Sequence, residues 1–295
     1  MIEPFILAAI EARLTHASAL PPARYRRFVV DAAPIGLIDE ARIEHLAAFD
    51  VFTRGEEIGL DHRLRTTSER SRAMAEVADA LRAAGQLPAW RNELFAIAAQ
   101  WGDPPLFTIE RGAARYFGLV TYAVHVNGIV RGGRDVRPRM WLARRSPTKA
   151  VDPGLLDNLV GGGVAAGFRI DETLVKEAHE EAGVPAAVAR TARAAGIVHS
   201  TKPMFDGLQR ERLFVHDLAL PEDFVPANQD GEAVEHRLVE LPEAATTIAA
   251  THGPDETTTD ASLVVLDYLI RHGHVAADDP AYTRLDALLH SRIEA

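Results

Sequence analysis

Cysteine is absent from the 295-residue chain. Disulfides, thiolate nucleophiles, thiolate zinc sites and iron–sulfur clusters are excluded with it. Missing too is any uncharged run near the ~18–20 residues that a membrane-spanning helix needs, so no membrane partner is expected. The apolar stretch in "MIEPFILAAIEARL" is short and flanked by Glu3 and Glu11, without a basic leader. That pattern argues against a signal peptide and for a cytoplasmic protein. Basic residues are the minority, 32 Lys and Arg against 42 Asp and Glu, for a formal net charge of −10. No long Lys/Arg block offsets the deficit, so nucleic-acid binding by counterion release is not expected. An anionic small molecule stays allowed, because a divalent metal or a local arginine pair reverses the sign inside a pocket.

The material for a core is ample, with 47% hydrophobic residues. The length sits near the upper limit for one core, so one large domain or two smaller ones are expected. Residues 2–14 and 17–30 read as helices separated by a break at Pro21 and Pro22. Residues 33–39 read as a short strand, 41–49 as a helix, and 68–88 as the clearest helix of the first half. Its apolar stripe is Ala73, Val77, Ala80 and Leu81, ended by Gly85 and Pro88. The character changes near residue 106, where "LVTYAVHV" reads as a strand running into a turn at Asn127-Gly128. Further strands are expected at 137–145, in "AGIVHS", in "RERLFVHDLAL" and in "HRLVELP". A helix is expected at 171–183 and another at 261–273, capped by Gly273.

The stretch "GGGVAAGFRIDETLVKEAHEEAGV" (161–184) carries the chemistry. Offsets of three and four place Glu177, Glu180 and Glu181 on one helical surface, while Leu174, Val175, Ala178 and Ala182 form a separate apolar arc. Exposed like charges cost only a few tenths of a kcal/mol each, so a solvated helix face accounts for the glutamates taken alone. The adjoining Gly161, Gly162, Gly163 and Gly167 change the weighting, because a glycine loop lets backbone approach a ligand closely. A backbone carbonyl of Gly161 or Gly162 with three carboxylates is the hard oxygen set that magnesium or manganese takes.

The spacing resembles the box of the Nudix hydrolases. That box is a glycine, five residues, a glutamate, seven residues, then Arg-Glu-aliphatic-x-Glu-Glu-x-Gly-aliphatic. Here it reads Gly162, Phe168, Lys176, Glu177, Ala178, Glu180, Glu181, Gly183 and Val184. Phe168 stands where the family has its first glutamate, and Lys176 where it has arginine, keeping the charge without the planar fork. The resemblance implies that Glu177, Glu180 and Glu181 hold Mg2+ or Mn2+ and that Lys176 orients the carboxylates. It also implies an α/β fold, a Nudix-type α/β/α sandwich with a mixed sheet over 113–295, C-terminal helices included. An α+β N-terminal extension over 1–112 would precede it. "WLARRSPTKAVDPGLLDNLVGGG" is similar to the branch containing isopentenyl diphosphate isomerase. Gly161 and Gly163 replace the cysteine and histidine that isomerase needs, so hydrolysis is the chemistry left.

Closer still is the likeness to a subgroup with an extra N-terminal domain, fused in fungi to thiamin pyrophosphokinase. It rests on "FTIERGAARYFGLVTYAVHVNG", "PGLLDNLVGGG" and "RLFVHDLALPEDFVPANQDGE". It implies a small-molecule diphosphate substrate, thiamin diphosphate or an oxidised or damaged analogue. Nucleoside diphosphate derivatives such as ADP-ribose or dinucleotides are the second reading, and an inactive binding module the third. A homodimer is an allowed assembly.

Hydrolysis at phosphorus also needs a base and cationic contacts. Glu232 and Glu235 are the candidates for the base, Glu232 favoured because it follows the Asp-Gly turn where the family brings in another acid. Arg144, Arg145 and Lys149 form the local basic cluster, suited to holding a diphosphate. Asp157 and Asn158 read as turn-capping residues before the glycines. His125, His179 and His199 read as isolated surface or packed histidines.

Overall fold

The computed structural model describes residues 1–20, 24–132 and 137–291. The expected break at Pro21 and Pro22 lies outside them. The N-terminal half contains α1 (Pro4–Ala17), β1 (Tyr25–Val30), β2 (Ala33–Asp39), α2 (Glu40–Ile43), β3 (Phe52–Arg54), β4 (Ile58–Leu60), α3 (Thr67–Ala83), β5 (Leu94–Ile97), β6 (Phe107–Glu110) and α4 (Arg111–Ala114). After it come β7 (Val120–Val130), β8 (Arg139–Arg145), β9 (Leu156–Asn158), β10 (Val160–Gly163), α5 (Ile170–Ala182), α6 (Ala186–Ala189), β11 (Arg193–Met204), β12 (Gly207–Leu220), β13 (Ala233–Glu240), α7 (Leu241–Ala249), α8 (Thr259–Arg271) and α9 (Tyr282–His290).

The C-terminal sheet is ordered β11-β12-β7-β8-β13, with β10 added to β7 and β9 to β8. Strands β12 and β7 run parallel and the other pairs antiparallel, so the sheet is mixed. On one face Tyr122, Val124 and Val126 of β7 pack against Leu174, Ala178 and Ala182 of α5. On the other, Ala123, Leu213 and Val215 pack under α7, α8 and α9. Period-two alternation along β7 and β12 supplies an apolar residue to each layer in turn. The result is an α/β/α sandwich.

The N-terminal half is α+β. A four-stranded sheet ordered β2-β1-β4-β3 and the β5-β6 pair share a core with α3. Helix α3 starts at a capping box, in which Thr66 accepts from Glu69 N–H and Glu69 accepts from Thr66 N–H. Its core runs from Phe28 to Leu119. Helix α1 packs elsewhere, with Leu7, Ile10 and Leu14 in the layer of α7, α8 and α9. Grouped by packing, Ala113–Leu119 therefore sit with the N-terminal unit and α1 with the C-terminal one.

Two local expectations are corrected. Residues 25–30 form β1 rather than the end of a helix, because Phe28 and Val30 alternate into the core at period two. Asn127-Gly128 is not a turn, since β7 runs straight through to Val130. Asn127 is buried there, donating from Nδ2 to Asp217 Oδ1 at 3.0 Å. Among the described residues, no helix is long and apolar enough to cross a membrane.

Candidate active site

Strand β10 pairs antiparallel with β7, placing Gly161 opposite His125, Gly162 opposite Val124 and Gly163 opposite Ala123. Alternation sends Gly161 and Gly163 to one face of the sheet and Gly162 to the other. A Cβ on Gly162 would lie 2.3 Å from Glu177 Cγ on α5. One on Gly163 would lie 2.8 Å from the Phe95 ring, and one on Gly161 3.1 Å from the His125 ring. The glycine run is thus demanded by close approach on both faces.

Helix α5 begins with Glu172 accepting from Arg169 N–H at 3.0 Å and ends at Gly183 in the left-handed conformation. Its glutamates are not equivalent. Lys176 Nζ donates to Glu177 Oε1 at 2.9 Å and to Glu180 Oε2 at 2.7 Å. Glu180 is partly open to solvent, whereas Glu181 is only 9% exposed. Glu181 therefore lies on the buried side of α5, not on a separate acidic side as the helical spacing implied. Its Oε2 accepts from Gly161 N–H at 2.8 Å, tying the helix to the glycine strand.

Burial pushes the Glu181 carboxyl well above the usual range. The Gly161 N–H opposes the shift, while Glu177, Asp157 and Glu232 add to it. Burial also raises Glu177, against the Lys176 hydrogen bond, with Glu180 and Glu232 reinforcing the rise. Burial works against the Lys176 charge, but its bonds to Glu180 and Glu177 prevail and hold the ammonium above its ordinary value. Five carboxyls, Glu177, Glu180, Glu181, Glu232 and Asp157, thus cluster around the outer edge of β10, with the ammonium groups of Lys176 and Lys149 among them.

A cavity of about 170 Å³ opens on the side of Gly161 and Gly163. The α5 glutamates do not line it. Asp157 and Glu232 do, and they connect the cavity to Glu181 electrostatically. Of the basic cluster, Arg145 and Lys149 line the cavity and Arg144 does not. Arg144 donates to Glu235 Oε2 at 2.6 Å and to the Gly154 and Pro254 carbonyls, so it fixes loops. Glu235 is also held by Arg237 at 2.6 Å, a strand-fixing arrangement. Arg145 donates to Asp157 Oδ2 at 2.8 Å, and Lys149 is paired with Glu232. Asp157 and Asn158 do not cap a turn: both lie in strand β9, where Asp157 accepts from Asn158 N–H at 2.9 Å and is buried at the cavity wall.

Residues 121–259 match the NUDIX domain family, and residues 9–121 match a domain of unknown function (DUF4743). The chain is 39% identical over 262 residues to Nudix hydrolase 24, chloroplastic, of Arabidopsis thaliana, covering 88% of this chain and 70% of that protein. It is 37% identical over 276 residues to Nudix hydrolase 20, chloroplastic, of the same plant, covering 90% of this chain and 72% of that protein. The chain belongs to the Nudix hydrolase family. A crystal structure of the Deinococcus radiodurans protein DR0079 is also similar, at 22% identity and a TM-score of 0.45, over 60% of this chain and 99% of that one.

As a Nudix hydrolase the protein is an enzyme acting on diphosphate linkages, and the family typically uses a divalent metal. Among the described residues, no three carboxylate or imidazole groups stand close enough to form a ready-made metal cage. The donor set nonetheless fits such an ion. It consists of hard carboxylate oxygens whose charged forms burial disfavours and which only a cation would relieve. Lys176 bridges Glu177 and Glu180 through one hydrogen bond to each. Replacing it with Gln is expected to lower turnover and apparent metal affinity about 10–100-fold, the range for residues that orient ligands. Lys176→Arg should recover most of this. A magnesium titration of the three proteins is the check.

Several residues of the Nudix hydrolase cavity were not picked out from the sequence. Gln209, Glu211 and Asp260 line it beside His125, which the sequence presents only as a packed or surface histidine, and Phe95 and Arg111 of the N-terminal unit form a wall. The available signal was alternation. Gln209 and Glu211 share the inward phase of Leu213 and Val215 on one strand, where a charge is unexpected.

Proposed function

We propose that the enzyme hydrolyses thiamin diphosphate, or an oxidised or damaged form of it, to the monophosphate and phosphate. The observation that carries the diphosphatase reading is the β10 edge. There the buried Glu181 is anchored to Gly161 N–H beside Asp157 and Glu232, which line the adjoining cavity. The thiamin class rests on the likeness to the subgroup described above.

In this reading Glu177, Glu180 and Glu181, with a carbonyl of Gly161 or Gly162, hold Mg2+ or Mn2+. When bound, such an ion neutralises phosphoryl charge and lowers the pKa of water. Arg145 and Lys149 meet the substrate's phosphates from the cavity side. Lys149 is paired with Glu232 in the free enzyme. Phosphate binding draws Lys149 away, and the freed Glu232 carboxylate takes a proton from the attacking water.

The test is turnover, scored by phosphate release with magnesium or manganese. The panel holds thiamin diphosphate, its oxo and oxy analogues, ADP-ribose and dinucleotides. Thiamin-type substrates should be favoured, and Glu180→Gln should slow them about 10-fold or more. Equal rates for wild type and Glu180→Gln would remove Glu180 from the metal set. Preference for ADP-ribose would replace the substrate class.

A further inference from the structure

The deep end of the cavity holds polar groups that hydrolysis of a diphosphate does not use. Gln209 Nε2 donates to Glu211 Oε2 at 3.0 Å and to Asp260 Oδ2 at 3.1 Å, so one amide hydrogen-bond donor group serves two carboxyls. Thr121 Oγ1 reaches Glu211 Oε1 at 3.3 Å, a long contact that leaves this oxygen weakly engaged. His125 is 5% exposed, and its Nδ1 is bonded to Asn158 Oδ1 at 2.8 Å. Its Nε2 has no partner among the described residues, and the ring lines the cavity. Without such a partner and with a place on the cavity wall, this nitrogen is available to a bound ligand.

The wall above these groups comes from the N-terminal unit. The Arg111 guanidinium lies over the Phe95 ring at 5.4 Å and is anchored to Glu93 Oε2 at 2.8 Å. Both side chains sit where Gly163 lacks one. The Phe95 ring packs on the bare glycine strand with the Arg111 guanidinium over it, so the pair presents a planar cationic and aromatic wall to the cavity. Arg145 and Lys149 also line the cavity, paired with Asp157 and Glu232. The same cavity therefore offers cations to phosphates near the glycine strand and carboxyl acceptors at Glu211 and Asp260. Burial and the neighbouring Asp260 also raise the Glu211 carboxyl, against Arg111, His125 and Lys202.

We propose that this deep end is the subsite for the non-phosphate half of the substrate: a flat heteroaromatic group with N–H donors on its ring edge, read by Glu211 and His125 Nε2 and covered by Arg111 and Phe95. The inference rests on the diphosphatase reading for the position of the phosphates, and it makes the N-terminal unit part of the substrate site.

The test measures binding without turnover. Dissociation constants are determined by calorimetry in calcium for thiamin diphosphate, ADP and the ringless methyl diphosphate. Wild type should bind at least one ring-bearing probe about 10-fold or more tighter than methyl diphosphate. Glu211→Leu and Arg111→Ala should each weaken that probe about 10-fold while leaving methyl diphosphate within about twofold. Glu211→Gln keeps the polar pairing and should lie between. It also carries the test with Arg111→Ala if the Leu variant does not fold. Equal binding of all three probes by wild type would overturn the subsite. So would parallel losses for ring-bearing and ringless probes in the variants. Ring-selective binding in a protein without metal-dependent turnover would keep the subsite and discard the hydrolytic reading.

Discussion

Glu181→Gln is expected to reduce turnover by about 10³-fold or more, beyond the ~10–100-fold typical of residues that only orient a ligand, while raising the melting temperature of the metal-free enzyme. The two effects have one cause. Glu181 is buried, and its charged form is opposed by desolvation and by Glu177, Asp157 and Glu232. A carboxyl whose folded-state pKa is raised weakens the fold at neutral pH, where the unfolded chain carries it freely ionised. Glutamine keeps an oxygen to accept the Gly161 N–H and removes the charge. A gain of about 1 kcal/mol would raise the melting temperature by roughly 2–4 °C for a protein near this size. With magnesium present the order should reverse. An ion that binds only the folded state stabilises by mass action, and in the proposed metal set only the wild type keeps every ligand. Thermal melts of both proteins with chelator and with excess magnesium are the check. A wild type more stable than Glu181→Gln in chelator would show that the carboxylates do not repel as described.

Much of this edge was legible before any coordinates, for a local reason. Lys176, Glu177, Glu180 and Glu181 lie within two helical turns, and Gly183 ends the helix in the left-handed conformation that glycine adopts freely. Spacing alone set their common surface. It did not reveal that Glu181 faces inward, because that depends on where β10 lies, about twenty residues away. Strand β7 was legible from its β-branched and aromatic run and β12 from its apolar stretch around Leu213–Val215, whereas β1 was hidden in a short segment whose two arginines masked the alternation of Phe28 and Val30. The floor of the cavity was the least legible part. Glu211 sits between two arginines in the sequence and looks like a solvated strand residue. It meets Gln209 on its own strand, Thr121 on β7 and the neighbourhood of Asp260 at the start of α8. Only sheet order brings those together. Arg144 and Arg145 make the converse point. Adjacent residues on a strand point to opposite faces, so one arginine binds Glu235 and two loop carbonyls while the other reaches the cavity.

Gly162→Ala tests whether close packing of strand on helix sets the metal geometry. The added methyl would fall 2.3 Å from Glu177 Cγ, 2.5 Å from its Cδ and 2.8 Å from Oε2. Cγ is not the free end of the side chain, so Glu177 has to swing from its place rather than flex at its tip. That breaks the bond from Lys176 and removes one carboxylate from the β10 edge. The backbone at Gly162 is not left-handed, so alanine meets no torsional penalty there. The fold should persist, with overpacking costing about 1–3 kcal/mol. Activity should fall far more, about 10²–10³-fold, as expected when a preorganised charge-stabilising group is displaced. The contrast with Gly161→Ala is informative. There the new methyl would meet the His125 ring at 3.1 Å on the cavity side and leave Glu177 untouched. Gly162→Ala should chiefly weaken the magnesium dependence, and Gly161→Ala chiefly raise KM for a ring-bearing substrate. Magnesium titrations and substrate titrations of both variants separate the two faces of the strand. Identical profiles would mean that the glycines serve the strand's path and not its neighbours.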